Sequence, residues 1–262
     1  MVTSTTHKIL IINPNSSTSM SEGIQSLIRS LNAAGSTSSM IDIYTAPSGP
    51  PSINNEEDSL LTTKIVYSDL LSTNKISQYD AILVACYSVH PLVHTLQENA
   101  EVKRRGIHVT GIFEASISTS LALTSASNSH SKFGIVTTGT YWEKVLSQGV
   151  QQFLDIPDLK DFRKFKGVQS TSLNADELHT APPALVRERM MDATRRLVKE
   201  KDVKVVCLGC AGMAGLDGIV REALVAELGE EAGYVHILDG VKAGVGVLEG
   251  LLRALPPVKR DG

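Results

Sequence analysis

Short apolar runs alternate with longer amphipathic segments along the whole chain. The runs are rich in β-branched residues and contain few polar positions, which is typical of strands buried on both faces. They are Lys8–Ile12, Ile41–Tyr44, Ala81–Cys86, His108–Phe113, Lys132–Val136, Val203–Leu208 and Val235–Leu238. This alternation predicts an α/β protein in which parallel sheets are covered by helices on both faces.

The segments between the runs carry helix signals. Ser19 and Glu22 have the spacing of a capping box, and Pro91 suits the first turn of a helix. Another helix and a short strand are expected between Val136 and Ala184, and Pro256 is expected to stop the last helix. Apart from the helix expected between Val136 and Ala184, the predicted helices span residues 19–32, 54–71, 91–101, 114–126, 184–200, 217–228 and 239–255.

The second half of the chain repeats the plan of the first. Lys8 and Lys132 open corresponding strands and are 124 residues apart. Cys86 and Cys210 each follow a long apolar strand and are separated by the same 124 residues. Such a repeat predicts two similar α/β halves related by a pseudo-twofold axis, with a shared cleft between them.

The limits of the two halves follow from this repeat. The first half is expected to comprise residues 1–115 plus 240–262, because the final helix would cross back onto it. The second half is expected to comprise residues 116–239. Glu114 and Asp239, which are 125 residues apart, each follow a strand and open a helix.

Composition narrows the class of protein. The chain has 262 residues, 42% of them hydrophobic, and a formal net charge of −3, as in ordinary soluble globular proteins. A near-neutral charge lacks the excess of basic residues that is typical of a nucleic-acid-binding protein. No apolar run is long enough to span a membrane. Three cysteines and a beginning without a secretory pattern indicate free thiols in a cytoplasmic protein.

Polar groups cluster where the predicted strands end. Ligands bind at the carboxyl ends of strands in parallel sheets, so these groups are expected to line one cleft. Cys86 and Cys210 would then approach a ligand from opposite sides. The groups are Asn13–Ser17, Cys86–His90, Thr137–Thr140 and Cys210–Met213.

Two opposed thiols suit the inversion of a carbon beside a carbonyl. One group removes a proton from one face, the other returns a proton to the opposite face, and nearby donors stabilise the enolate oxygen. Cys207 lies inside an apolar run, so it is expected to be a core residue. The backbone after each cysteine is the predicted substrate cradle, at Tyr87, Ser88, Ala211 and Gly212.

Three other arrangements stay open. Cys86, His90 and His94 recur every four residues and could hold zinc, although Pro91 is expected to keep Cys86 outside the helix. His90 could instead tune a thiol. Glu114 and Asp239 could serve as bases, but charges that complement a helix dipole are the favoured interpretation.

The chain resembles the hydantoin racemases, which include allantoin racemases, of the aspartate/glutamate racemase superfamily. The resemblance extends over almost the whole chain, and its first and fifth segments are specific in combination. The segments that carry it are Ile12–Ser17, Ala85–Ser88, Gly111–Ala115, Phe133–Thr138, Leu208–Met213 and Asp239–Val241.

The resemblance implies a cofactor-independent enzyme with two catalytic bases, one cysteine in each half. These would be Cys86 and Cys210. It also implies a small-molecule substrate, a homo-oligomer, and substrate contacts from Asn13, Ser17 and Thr138. Thr137, next to Thr138, is included among the expected substrate contacts.

Two departures bear on the substrate. Hydantoin racemases tend to carry an aspartate where this chain has Val89, whereas aspartate and glutamate racemases carry a threonine where it has Ala211. The absent threonine favours a neutral cyclic amide over an amino-acid carboxylate. A racemase of 5-substituted hydantoins or allantoin is therefore expected. The alternatives are an amino-acid racemase, another isomerase or decarboxylase of the superfamily, and a non-catalytic ligand sensor.

Overall fold

The computed structural model describes residues 6–124 and 131–255, so the expected helix stop at Pro256 lies outside the described residues. The described strands are β1 (Lys8–Asn13), β2 (Met40–Thr45), β3 (Ala81–Val84), β4 (His108–Gly111), β5 (Lys132–Thr137), β6 (Phe165–Ser170), β7 (Val203–Gly209) and β8 (His236–Asp239). The described α-helices are α1 (Thr18–Ala33), α2 (Glu56–Ser72), α3 (Pro91–Gln97), α4 (Ala100–Arg105), α5 (Ile112–Leu123), α6 (Tyr141–Phe153), α7 (Glu177–Thr180), α8 (Pro183–Val198), α9 (Asp217–Leu228) and α10 (Gly240–Ala254).

The strands form two parallel sheets of four strands each. Their orders are β2-β1-β3-β4 and β6-β5-β7-β8. The chain accordingly divides into two compact units, each containing one sheet. Unit 1 takes the chain up to Cys86, then His90–Ile112 and the chain from Gly244 onward, whereas unit 2 takes Tyr87–Val89 and Phe113–Ala243. The predicted α/β class with parallel sheets is confirmed.

The register of the central strands confirms the repeat of 124 residues. In unit 1, Ile12 of β1 pairs with Val84 of β3. In unit 2, Val136 of β5 pairs with Leu208 of β7, and each residue lies 124 positions after its counterpart. The apolar pattern at this offset therefore reflects two sheets with the same central pairing.

The repeat does not extend with the same offset to the last strands. Val84 pairs with Gly111, and Leu208 pairs with Asp239, so Asp239 corresponds to Gly111. The predicted match of Asp239 with Glu114 is therefore wrong. From Leu208 to Asp239 the second unit has four more positions than the first has from Val84 to Gly111. The predicted match with Glu114 allowed for only one extra residue.

One predicted helix is two helices. The segment 91–101 was expected to be continuous, but α3 ends at Gln97 and α4 begins at Ala100. Asn99 causes the break, because its Oδ1 accepts the backbone N–H groups of Glu101 and Val102 at 2.9 Å and 3.1 Å. An asparagine in this position caps a new helix instead of continuing the old one.

Two predicted strands end earlier than their apolar patterns indicated. β3 stops at Val84 and not at Cys86, and β4 stops at Gly111 because Ile112 and Phe113 already belong to α5. Both apolar residues are fully buried. A short apolar run does not distinguish a buried strand end from a buried helix start.

Two helices follow the sheet of one unit but pack in the other. In α5, Ser120 Oγ lies 3.2 Å from the Sγ of Cys207 on β7. In α10, a Cβ on Gly244 would lie 2.4 Å from Leu83 Cδ1 on β3, so glycine permits this close approach. The chain changes unit within these helices, at 112/113 and 243/244, whereas the sequence placed the limits at 115/116 and 239/240.

The carboxylate of Glu249 attaches α10 to unit 1. Its Oε1 accepts hydrogen bonds from the backbone N–H groups of Ser38 and Ser39 and from the hydroxyls of Thr37 and Ser39, at 2.7–3.0 Å. Burial by itself would raise the pKa of Glu249, but these hydrogen bonds outweigh burial and lower the pKa. The charged form of Glu249 therefore stabilises the docked helix.

We expect Glu249→Gln to lower the free energy of unfolding by about 1–2 kcal/mol at neutral pH, since hydrogen bonds to a charged acceptor are stronger. The folded pKa of Glu249 lies below its unfolded value, so its contribution is present above the unfolded pKa and is lost as the pH falls through the folded pKa. Urea unfolding at pH 7 and at about pH 3 measures both effects.

A matched control is Glu98→Gln, whose carboxylate makes an exposed ion pair with Lys103. This change is expected to leave the free energy of unfolding close to that of the wild type, because an ion pair exposed to solvent contributes little to stability. Equal losses at neutral pH for both variants would contradict the role assigned to Glu249.

Candidate active site

Cys210 directly follows the end of β7, and a glycine fixes the strand end. A Cβ on Gly209 would lie 2.7 Å from Ile135 Cγ2 and 2.8 Å from the carbonyl oxygen of Val136. Only glycine fits this close approach to the neighbouring strand. The Thr137 hydroxyl donates a hydrogen bond of 3.0 Å to the Gly209 carbonyl, which holds the residue before the cysteine.

The Cys210 thiol is half-buried and accepts backbone hydrogen bonds. Burial raises its pKa to about 11, and the N–H groups of Gly212 and Met213 lower the pKa by a smaller amount. The Gly212 nitrogen lies 3.3 Å from the sulfur. At neutral pH Cys210 therefore carries its proton, and the two N–H groups are placed to stabilise the thiolate that forms when the proton leaves.

His179 is a neighbour of this site that the sequence analysis did not select. A Cβ on Gly212 would lie 3.3 Å from His179 Nε2 and 3.5 Å from Cys210 Sγ. Both atoms thus lie close to one point above the glycine. His179 belongs to the short helix α7 and is exposed. No motif links residues this far apart in the sequence, so only the fold could bring His179 to attention.

Cys86 occupies the corresponding place in unit 1. It lies two residues after β3, is half-buried, and packs against the apolar core of its unit. Its counterpart by the offset of 124 residues is Cys210, since the paired strands that precede both have matching register. None of the three cysteines is in a disulfide. Cys207 is fully buried in β7, which confirms the prediction of a core residue.

Asn13, at the end of β1, organises the loop that leads to α1. Its side-chain nitrogen donates to the Ser17 carbonyl and to the Ser21 hydroxyl, each at 3.0 Å, and its oxygen accepts the N–H of Asn15. Ser17 caps α1 by accepting the Met20 N–H through its hydroxyl. The structure thus assigns both side chains to local contacts, and their contact with a substrate stays a prediction.

Thr137 and Thr138 lie at the end of β5 and are both buried. Thr137 is the positional counterpart of Asn13, because each is the last residue of the central strand in its unit. The Thr138 carbonyl accepts the Ser172 N–H at 3.1 Å. The strand ends of unit 2 therefore bring Thr137, Thr138 and Cys210 to the same edge of one sheet.

The loop after Cys86 enters unit 2. Tyr87 and Ser88 are buried, whereas 44% of Val89 is exposed. Tyr87 packs edge-on against Phe113, with ring centroids 5.6 Å apart. The exposed Val89 occupies the position where an aspartate was expected from the resemblance, so a hydrogen-bonding carboxylate is missing from this surface.

His90 is buried and neutral. Its Nδ1 accepts the Leu92 N–H at 3.2 Å, so the ring proton is assigned to Nε2, which lies 3.3 Å from the Thr62 hydroxyl. Burial lowers the pKa of His90 to about 4. These contacts join the start of α3 to α2, and the predicted influence of His90 on a thiol stays a prediction.

The two predicted acidic residues differ in their surroundings. Asp239 Oδ1 accepts the N–H groups of Val241 and Lys242 at 2.8 Å and 2.9 Å, which confirms its interpretation as a charge at a helix start. Burial raises the pKa of Asp239 despite these hydrogen bonds. Glu114 lies half-buried in the first turn of α5.

Two kinds of feature are absent from the described part of the chain. Among residues 6–124 and 131–255, no group of three or more His, Cys, Asp or Glu side chains is arranged to hold a metal ion. Cys86, His90 and His94 therefore do not form the zinc site considered from their spacing. The same residues include no helix with the length and apolar character that crossing a membrane requires.

The sequence of this chain matches the model of a known protein family over most of its length. The model for Asp/Glu/Hydantoin racemase matches residues 9–248, a range that includes both half-buried cysteines and every residue of the two sheets except Lys8. This chain belongs to the Asp/Glu/Hydantoin racemase family. It is therefore a racemase, an isomerase by reaction class.

Individual relatives of this racemase agree with the family assignment. It is 33% identical to C1F7.10 of Schizosaccharomyces pombe, over 94% of this chain and 92% of that protein. It is 27% identical to a hydantoin racemase of a Pseudomonas species, over 94% and 86% of the two chains. The solved allantoin racemase of Pseudomonas fluorescens superposes with a TM-score of 0.71 at 26% identity, over 94% and 91% of the chains.

Proposed function

We propose that this racemase interconverts the enantiomers of 5-substituted hydantoins or of allantoin. Its similarity to a hydantoin racemase and to an allantoin racemase supports this substrate class. The observation that carries the mechanism is the matching position of Cys86 and Cys210 after strands of identical register. Two equivalent thiols, one in each unit, supply what inversion by two bases requires.

The proposed reaction moves one proton off the ring carbon and one proton onto it. A cysteine thiolate removes the proton at C5, and the electron pair of the C–H bond passes to the neighbouring carbonyl, which becomes an enolate oxygen. The other cysteine, as a thiol, donates its proton to the opposite face of C5. The carbonyl is restored, and the two cysteines have exchanged protonation states.

The raised pKa of Cys210 supports a starting role for this residue as the proton donor. Because its pKa is about 11, Cys210 begins as the proton donor, so Cys86 acts as the base in that direction. In the reverse direction Cys210 removes the proton, and the N–H groups of Gly212 and Met213 stabilise its thiolate. The two directions of the reaction therefore use the same pair of sulfur atoms.

The remaining predicted residues are proposed to hold the ring. They are Asn13, Ser17, Thr137 and Thr138, together with the backbone at Tyr87, Ser88, Ala211 and Gly212. The methyl group of Ala211 provides no hydroxyl for a substrate carboxylate, which favours a neutral ring. Backbone donors and acceptors match the imide of such a ring.

The test uses proton NMR of enantiopure allantoin and of an enantiopure 5-alkyl hydantoin in D2O, with optical rotation followed in parallel. We expect loss of rotation together with deuterium uptake at C5, above the rate without enzyme. Enantiopure aspartate and glutamate serve as the carboxylate comparison and are expected not to react.

Other outcomes identify the alternatives. Inversion of an amino acid without inversion of either ring would replace the proposal by an amino-acid racemase. Thermal stabilisation by a ring without proton exchange would indicate a ligand sensor. The cytoplasmic location and the homo-oligomeric state stay predictions.

A further inference from the structure

His179 lies over the backbone turn that follows Cys210, and the proposed reaction assigns it no role. A Cβ on Gly212 would lie 3.3 Å from His179 Nε2 and 3.5 Å from Cys210 Sγ. The imidazole nitrogen and the sulfur are therefore no farther apart than these two distances taken together. A direct hydrogen bond or one bridging water covers such a separation.

The backbone that carries His179 is fixed by the core of unit 2. Leu178, the residue before it, is 5% exposed and belongs to the same apolar cluster as Met213. Cys210 packs against this cluster as well. The His179 N–H donates to the Asp176 carbonyl at 3.1 Å within the turn that forms α7. The segment is thus held beside Cys210, whereas the histidine itself is exposed.

Glycine at position 212 permits this approach. A distance of 3.3 Å to His179 Nε2 is tighter than nine in ten contacts that Cβ atoms make, so any side chain on Gly212 would require the imidazole to move. The same Cβ would lie 3.5 Å from the carbonyl oxygen of Ala175. The segment that leads into α7 therefore covers the turn after Cys210 from one side.

The proposed chemistry requires a negative charge on Cys210 in one direction. Burial opposes this charge and raises the pKa of the thiol to about 11. The N–H groups of Gly212 and Met213 favour the thiolate by a smaller amount, and the methyl group of Ala211 adds no donor. A further N–H close to the sulfur would stabilise the anion, because hydrogen bonds to a charged acceptor are stronger than those between neutral groups.

We propose that His179 is a positioning residue for Cys210, and that its Nε2–H donates to the sulfur, directly or through one water, as the thiol loses its proton. This inference rests on the proposed two-cysteine reaction. His179 passes no proton to the ring, so the proton balance of that reaction is unchanged. The donor stabilises the Cys210 thiolate fully and the transition state in part.

The test replaces His179 with leucine, which has about the volume of the imidazole and no donor. We expect kcat/KM for inversion to fall about 10-fold and equally for both enantiomers of the ring, because enantiomers have equal free energies. For the enantiomer that Cys210 protonates, the loss should appear in kcat. For its mirror image the loss should appear in KM, because the enzyme form with a Cys210 thiolate becomes rarer.

A second readout needs no substrate. Below its pKa a thiol is alkylated through the small fraction present as thiolate. The rate at which iodoacetamide modifies Cys210, measured by peptide mass spectrometry at one pH, should therefore fall about 3- to 10-fold in His179→Leu. The rate at Cys86 should stay as in the wild type. His179→Gln, whose amide nitrogen has a reach similar to that of Nε2, should recover part of both losses.

The matched control is His236→Leu. His236 is also an exposed histidine of unit 2, but it begins β8 and so lies at the opposite end of the sheet from Cys210. This variant should leave kcat, KM and both alkylation rates unchanged. Both leucine variants should keep the melting temperature of the wild type, since substitutions of exposed side chains have small effects on stability.

Three results would overturn the inference. One is a wild-type kcat/KM in His179→Leu. Another is a loss of activity that comes with a lower melting temperature, which would make His179 a structural residue. The third is a loss of activity with an unchanged alkylation rate at Cys210. A wild-type protein that inverts neither ring contradicts the proposed function instead, and the alkylation rates at Cys210 then decide the inference by themselves.

Discussion

Replacing Cys210 with serine is expected to lower the racemisation rate by about 10²- to 10⁴-fold, the usual contribution of a general acid or base. A serine hydroxyl is a much weaker acid than a thiol, so it neither donates a proton to the enolate nor forms the anion that removes one. Cys86→Ser should have an effect of the same size, since each thiol serves one face of the ring. Optical rotation of both enantiomers measures the loss.

Deuterium uptake distinguishes a missing base from a damaged fold. Each serine variant keeps one thiol, which should still exchange the C5 proton of one enantiomer in D2O without inverting it. The two variants should therefore retain exchange for opposite enantiomers. Full inversion by either variant would show that one cysteine is dispensable, and near-native circular dichroism should accompany the loss of rate.

Replacing Gly209 with alanine is expected to lower the free energy of unfolding by about 1–3 kcal/mol, as overpacking of a dense core does. The added methyl group would lie 2.8 Å from the carbonyl oxygen of Val136, and backbone in the middle of a sheet has little freedom to move. The melting temperature should fall by about 2–4 °C for each kcal/mol. Because Cys210 is the next residue, turnover should fall as well.

Gly218→Ala provides the matched control. Gly218 lies in α9, and apart from its chain neighbours and the adjacent backbone of α9 no atom lies within 4 Å of a Cβ built on it. Alanine is the better helix former, so this variant should be as stable as the wild type or slightly more stable. Equal destabilisation of the two variants in urea would contradict the argument from the Val136 carbonyl.

Much of the fold could be predicted from local patterns. The apolar runs predicted β1 and β3 in unit 1 and β5 and β7 in unit 2. Paired residues of β1 and β3 have counterparts in β5 and β7 that lie 124 positions later, the same separation as between Cys86 and Cys210. The errors arose where a run of apolar residues had two explanations. Ile112 and Phe113 continue the apolar pattern of β4 but belong to a helix, and only the backbone hydrogen bonds distinguish the two.

Some residues of the candidate site could likewise be predicted from the sequence, and others could not. Strand-end patterns identified Cys86 and Cys210 as a pair, and the resemblance named the family that the comparison with known proteins confirmed. His179 escaped prediction because its neighbour Gly212 is distant in sequence. Likewise, nothing in the residues around His90 indicated that Thr62 would face its ring.

The sequence by itself determined the α/β class, the repeat and the placement of one cysteine after each corresponding strand. These properties follow from the periodicity of apolar residues, which is a local feature of the chain. Only the tertiary structure decided that Gly209 must be glycine, that α10 packs in unit 1, and that Cys210 keeps its proton. Close contacts and the burial of polar groups depend on which segments, distant in sequence, pack together. The local pattern of apolar residues does not contain this information.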